Sequence, residues 1–347
     1  MPRGAFPFRS LLWVLALGLA AACTPPGPQA STALSQPAGA PQPPPPLRKV
    51  DVCIPALSQA FAFLGIAQQR GYFAELGLDV TVQPMSGLTC TMAGVPGSVQ
   101  FNVANVDQIL QGDLPYRIVL VHEDRLRHQF VVGRNVHTYA DLRGGRVAVS
   151  GLGGFTETMA REILLENGVN PDQDVVFIAI GTPDNRLAAL LTGGVDASLV
   201  GVEEAVRAFD EGLRALPYTP RVMPVAPLTT TEQLLQSDPE LVYRFVKGAL
   251  MGRLFYGYRK AEALPLVLRF LNTEDMAQQE HVYGLLTQGW RELPALDEPE
   301  MRDAIDSARR QLKLDKTIAT DRIFAPQFVR RAYEELKAAN WEGLWSR

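Results

Sequence analysis

The stretch of this chain best suited to hold another molecule is Ser150-Gly151-Leu152-Gly153-Gly154-Phe155-Thr156. It leads from a β-rich run, Arg146–Val149, into a run of helical periodicity that begins at Thr156. Free N–H groups at a helix start, with the positive end of the helix dipole, favour an anion or a polar ligand oxygen. Glycines there remove side-chain obstruction. Gly153, Gly154, Phe155 and Thr156 are therefore candidate ligand-binding residues. Glu157, in the same first turn, satisfies the dipole by itself, which weakens the case for an anionic ligand.

Other candidates follow other strand-like runs. Ser58, Gln59 and Phe61 follow Val50–Ile54, and Ser86 and Gly87 follow Leu78–Val82. Asn105 follows Val99–Val103; its amide both donates and accepts, for a ligand or for the cap of the next helix. Asp184 and Glu203 begin the helices after Val175–Ile180 and Val195–Val200. Facing a cleft, they favour a cationic or hydroxylated ligand; otherwise they are solvated helix-start residues. The charged run His122–His128 (HEDRLRH) reads as a solvated loop between strands. Its alternative role is to supply Arg125 or Arg127 as a bidentate clamp for a carboxylate or sulfonate.

Covalent chemistry finds no support. Ser150 and Ser198 lack a G-x-S-x-G frame, and there is no H-E-x-x-H and no Walker A loop. The four histidines are scattered, and no His/Cys cluster has metal-ligand spacing. From these residues no catalytic group, cofactor or metal is expected. Cys53 and Cys90 are either a disulfide, which export permits, or two partly buried thiols.

These loops need elements to position them. From Val50 to about Glu211, short β-rich runs alternate with helical runs, the pattern of βαβ units and parallel sheet. Thr156–Asn167 places Met159, Ile163 and Leu164 on one face and stops at Asn167-Gly168. From Thr231 onward strands disappear. Pro239–Tyr258 is one helix, capped by Ser237-Asp238; Leu264–Leu271, Asp275–Leu293, Glu298–Leu312 and Pro326–Asn340 are further helices.

The N-terminus has its own grammar. Arg3 and Arg9 precede the apolar run Leu11–Ala22, which ends in small residues and Cys23. This is the order of an export signal, and the run is short of the roughly 20 apolar residues that span a bilayer. Residues 24–47, rich in Pro, Gly, Ala and Gln, read as an extended tether. The formal charge of −4 and the absence of a Lys/Arg run argue against a nucleic-acid partner.

Four phrases occur in a familiar order: GIAQQRGYFAELGLDVTVQPMS at Gly65–Ser86, YADLRGGRVAVS at Tyr139–Ser150, LAALLTGGVDASLV at Leu187–Val200 and DPELVYRFV at Asp238–Val246. Together they resemble the periplasmic solute-binding proteins of ABC transporters, in the nitrate/sulfonate/taurine and thiamine-precursor group. The Leu19–Cys23 segment resembles a lipobox, with Leu19 one position further from the cysteine than usual. The resemblance implies an α/β, type II periplasmic-binding-protein fold: two α/β lobes joined by two crossing segments, with C-terminal helices. It implies a lipoprotein signal peptide over 1–23 with Cys23 lipidated, a linker over 24–47, a first lobe over 48–132 plus 223–347, and a second over 133–222. The implied partners are a small-molecule solute, an ABC permease with its ATPase, and a membrane reached through the N-terminal lipid. The body is expected to be a monomer in the periplasm or on the outer face of the cytoplasmic membrane. The sparse cleft arginines and lysines lean toward a neutral or aromatic organic solute. Two other readings remain: an enzyme on the same scaffold, like a thiamine-pyrimidine synthase or a menaquinone-pathway lyase, and a ligand-sensing lipoprotein.

Overall fold

The computed structural model describes residues 46–85, 87–220 and 222–344. Cys23, the tether up to Pro45 and Ser86 lie outside the described residues. The strands are β1 Arg48–Ile54, β2 Leu78–Pro84, β3 Asn102–Val103, β4 Tyr116–Leu120, β5 Glu123–Arg125 and β6 Gln129–Val132, then β7 Gly145–Val149, β8 Val175–Ala179, β9 Ala197–Val200, β10 Arg214–Leu216, β11 Val222–Val225 and β12 Leu228–Thr231.

They fall into two main groups. In the first, β1 and β2 pair in parallel, and β12 lies antiparallel between β3 and β4. A single parallel bridge, Val52 to Phe101, links β1 to the segment leading into β3. The expected strand Val99–Val103 is thus reduced to its last two residues. The second group is a five-stranded sheet of order β10-β6-β9-β7-β8. Its βαβ strands β7, β8 and β9 are parallel, while β6 runs antiparallel to both β9 and β10. The chain passes between the two groups through β5 and β11, which pair antiparallel to each other.

Each group has its own apolar core. Around β1, the helix Pro239–Tyr258 supplies Phe245, stacked between Phe101 and Phe73 at centroid distances of 3.7 and 5.5 Å. Its start is the capped one that the sequence predicts: the Asp238 side chain accepts from Leu241 N at 2.9 Å, with Pro239 in the first turn. Gly252 lets this helix cross Ala62–Gln69 closely, for a Cβ there would fall 2.2 Å from the carbonyl oxygen of Phe63. The second core gathers Phe130, Val147, Leu199 and the Met159, Ile163, Leu164 face of the helix Phe155–Glu166. That face is the one its spacing predicts.

The C-terminal helices are Lys260–Leu271, Met276–Thr287, Glu298–Leu312 and Gln327–Ala338. The helix expected to run to Leu293 ends at Thr287. Gln288 is extended and Gly289 adopts a φ of 64°, which ends the helical turn. The freed Trp290 then packs beneath the Arg253 guanidinium at 4.7 Å. Cys53, next to the end of β1, is disulfide-bonded to Cys90 in the helix Gly87–Ala93. Among the described residues, no helix is long and apolar enough to cross a membrane.

Candidate functional site

In an open α/β sheet, ligands meet the carboxyl ends of the parallel strands, where loops and helix starts converge. In the second sheet these ends are Ser150–Phe155, Gly181–Thr182 and Gly201–Glu204. In the first group they are Pro55–Gln59 and Met85, just past β2.

A cavity of about 530 Å³ opens between the two groups. Asn105, Val106 and Asp107 form one wall, and Phe155, Thr158, Met159 and Glu162 face them. Val222, Met223 and Pro224 of the returning crossing strand and residues of the helix Glu298–Leu312 complete it. Its charged walls are mainly acidic: Asp107, Glu162 and Asp303 against Arg310. Burial pushes the Asp107 carboxyl above its usual range, against the lowering effect of nearby helix N–H groups.

Direct bonds join the two groups on either side of the cavity. Gln311 Nε2 donates to Glu162 at 2.7 Å. Elsewhere, Gln59 N donates to Glu203 Oε1 at 2.8 Å. Beside Glu203, Val202 and Val206 pack on Val282 and Leu286 of Met276–Thr287.

The predicted site residues separate into those that border this space and those spent elsewhere. Asn105 and Phe155 line the cavity. The Asn105 side chain also accepts from Ala226 N at 2.9 Å, tying its helix start to the chain beyond the return crossing. The Thr156 hydroxyl turns back to Ser150, accepting from Ser150 N at 2.8 Å. Gly153, at a φ of 74°, donates its N–H to Glu157 at 2.6 Å. Glu157 thus occupies the first turn as its position suggests, and an anion would compete with a carboxylate already bound there. Gly154 is the last non-helical residue before Phe155. Gly87 opens its helix with free space over its Cα.

Phe61 is buried, its ring 4.9 Å from the His122 ring. Ser58 is half-buried at the start of a short 3-10 turn. Gln59 is buried; its Nε2 donates to the Tyr256 hydroxyl at 3.1 Å and its Oε1 has no partner. Asp184 lies in solvent, paired with Arg207 at 2.6 Å. Glu203 faces the Gln59 amide rather than solvent, and burial pushes its carboxyl up.

The charged run at the first crossing is a correction. It is not a solvated loop: Glu123–Arg125 is a strand, and His122 and Asp124 are buried. Arg127 donates to the carbonyls of Leu285 and Gln288 at 3.3 and 2.6 Å, and Arg125 pairs with Asp124. Both guanidinium groups therefore have partners within the chain. Burial and Arg253 hold the His122 imidazole neutral, pulled down to about 3.

Glu123 beside it is pushed up to about 7, first by burial, with Arg127 opposing and Glu203 adding repulsion. In the unfolded chain this carboxyl titrates near 4.5. The stability it contributes is therefore fully present below about 4.5 and is lost as pH rises through about 7. Glu123→Gln is expected to be more stable than wild type at pH 8 by about 2 kcal/mol, allowing for partial solvent screening. The difference should vanish near pH 4.5, which urea melts at the two pH values measure. Equal stability at pH 8 would show the carboxylate to be solvated.

Sequence reasoning missed Arg186. It is 3% exposed, while its neighbours Leu187, Leu190 and Leu191 already account for the apolar face. The signal was its position one turn before Leu190, which puts both on one side of the helix.

The two strand groups, their antiparallel crossings and the C-terminal helices are those of the type II periplasmic-binding proteins. The chain belongs to the NMT1/THI5-like family, whose model matches residues 58–256, more than half of the 347 residues. Among curated proteins it is similar to the riboflavin-binding protein RibY of Chloroflexus aurantiacus, with 24% identity over 285 residues, 75% of this chain and 77% of that one. Similar solved structures include the alkanesulfonate-binding protein SsuA from Xanthomonas axonopodis pv. citri bound to MOPS. It is 14% identical, with a TM-score of 0.61 over 84% of this chain and 99% of that one. The periplasmic nitrate-binding protein NrtA from Synechocystis PCC 6803 is 13% identical, with a TM-score of 0.64 over 84% and 90%.

Proposed function

We propose that this protein is the extracytoplasmic solute-binding component of an ABC importer, which closes two lobes over a small organic solute and passes it on unaltered. The first lobe is built on β1–β4 and β12 with the C-terminal helices, the second on β6–β10, and β5 and β11 are the crossings. The N-terminal leader supplies export, and Cys23 the lipid anchor. The observation that carries the reading is the cavity between opposed helix starts, at Asn105 on one side and Phe155 on the other. Closure around a hinge excludes water and changes the outer surface that a permease reads.

The site favours an uncharged heteroaromatic solute bearing both donors and acceptors. Nitrate would leave most of about 530 Å³ unfilled, a volume in the range of pockets for drug-sized molecules. The acidic wall repels anions, and Glu157 already occupies the glycine turn. Phe155, Met159 and Met223 offer apolar faces to a flat ring. Riboflavin is the first solute to test, given the Chloroflexus relative.

The experiment is a thermal-shift and calorimetric screen of riboflavin, uracil, MOPS and nitrate, with chromatography of the recovered solute. Riboflavin or uracil is expected to bind one to one and return unchanged. At 100 times its dissociation constant a solute stabilises the fold by about 2.7 kcal/mol. A converted product would make the protein an enzyme. Binding of nitrate alone would overturn the solute class.

A further inference from the structure

The helix Pro183–Leu191 carries a guanidinium whose surroundings do not satisfy it. Arg186 is 3% exposed. One of its terminal nitrogens donates to the carbonyl of Gly181, and its buried Nε has no acceptor. Among the described residues, no carboxylate forms an ion pair with it. Glu204, the carboxylate that acts on it, is paired with Arg207 instead. A buried, unpaired charge is costly to a fold, and proteins place one where something else offsets it.

Its location supplies the context. Gly181 follows the end of β8, and Glu204 lies in the first turn after β9, so Arg186 sits at the carboxyl edge of the parallel strands. His128, just ahead of β6, feels this charge: its imidazole is held neutral first by burial and then by Arg186. His128 in turn meets Phe155 edge-on at a centroid distance of 5.6 Å, and Phe155 lines the cavity. A cation, a neutral imidazole and a phenyl ring therefore share the strand-end edge from which a ligand would be held.

We propose that Arg186 is the solute-recognition residue of the second lobe, and that its free donors receive a carbonyl oxygen of the solute. This deepens the binding reading above and rests on it. The planar fork of a guanidinium matches adjacent acceptors. A ring with C=O acceptors on one edge for this fork, and N–H donors on another for the acidic residues that line the cavity, suits both features, the pattern of a cyclic imide or ureide. A purely structural arginine would behave differently. Its removal would weaken the ligand-free fold, whereas removal of a charge kept for a ligand relieves that fold.

The test compares wild type with Arg186→Met and Arg186→Lys, with and without riboflavin, uracil or MOPS. In the absence of solute, the melting temperature of Arg186→Met should equal wild type or exceed it by about 2 °C or more. Any solute that shifts wild type should bind Arg186→Met at least about tenfold more weakly. Arg186→Lys should fall between them, since it keeps the charge and loses the fork. A melting temperature several degrees lower for ligand-free Arg186→Met would overturn the proposal, as would unchanged affinity for a solute that binds wild type. If no solute in the panel shifts wild type, the solute class fails, and the ligand-free melting temperatures still decide the role of Arg186.

Discussion

Asp124→Ala is expected to destabilise the fold by about 3–5 kcal/mol, the cost of breaking a buried charge cluster from one side. Asp124 is 7% exposed and stands in β5, the first crossing strand. Three arginines surround it. Arg291 Nε lies 2.7 Å away, Arg125 Nε 3.1 Å and Arg127 Nη2 3.9 Å. Arg291 has a second partner in Glu300, and Arg127 has its two carbonyls, so neither is left bare. What alanine removes is the negative charge that lets three guanidinium groups crowd together. Asp124→Asn keeps the shape and an acceptor, and should lose less. Urea denaturation of both variants measures the effect. A loss below about 1 kcal/mol would mean the cluster is screened like a surface ion pair. The position matters for function in the proposed mechanism, because this cluster fixes the strand about which the lobes would turn to the segment Arg291–Glu300.

The second large effect concerns Cys53 and Cys90. Their Cα atoms are 5.7 Å apart, and the bridge closes a loop with a sequence separation of 37. A cross-link over such a loop stabilises by roughly 3–4 kcal/mol in the chain-entropy account, by limiting the unfolded chain. The double substitution Cys53→Ser with Cys90→Ser should lose an amount of that order, and reducing agent should lower the melting temperature of wild type alone. The bridge ties the carboxyl end of β1 to the helix that begins at Gly87. In the proposed cleft, its loss would therefore also loosen two of the loops that meet the solute. Identical melting curves with and without reductant would show that the bridge is absent in solution. Both residues are fully buried, so access of the reductant should be slow, and the measurement needs prior incubation.

The residue pattern alone carried the fold a long way. Period and punctuation are local properties, so the helix Pro239–Tyr258 with its Asp238 cap and the apolar face of Phe155–Glu166 are legible without coordinates. The Glu157 contact was legible too, since a first-turn carboxylate meets the N–H groups of its own helix start. The four phrases gave the family and the fold.

What only the tertiary structure decided is every case in which a side chain's neighbour comes from far along the chain. HEDRLRH has the composition of a solvated loop, and distant parts of the chain turn it into a buried strand: β11 pairs with it, Arg253 donates to the His122 carbonyl and Arg291, more than 160 residues on, meets Asp124. Phe61 is a candidate cleft aromatic by sequence, and only the fold brings the His122 ring against its buried side chain. Arg186 has the spacing of a core residue and the chemistry of a surface one. Periodicity fixes which way a side chain points, whereas its charge, its partner and its exposure depend on what the fold brings opposite it.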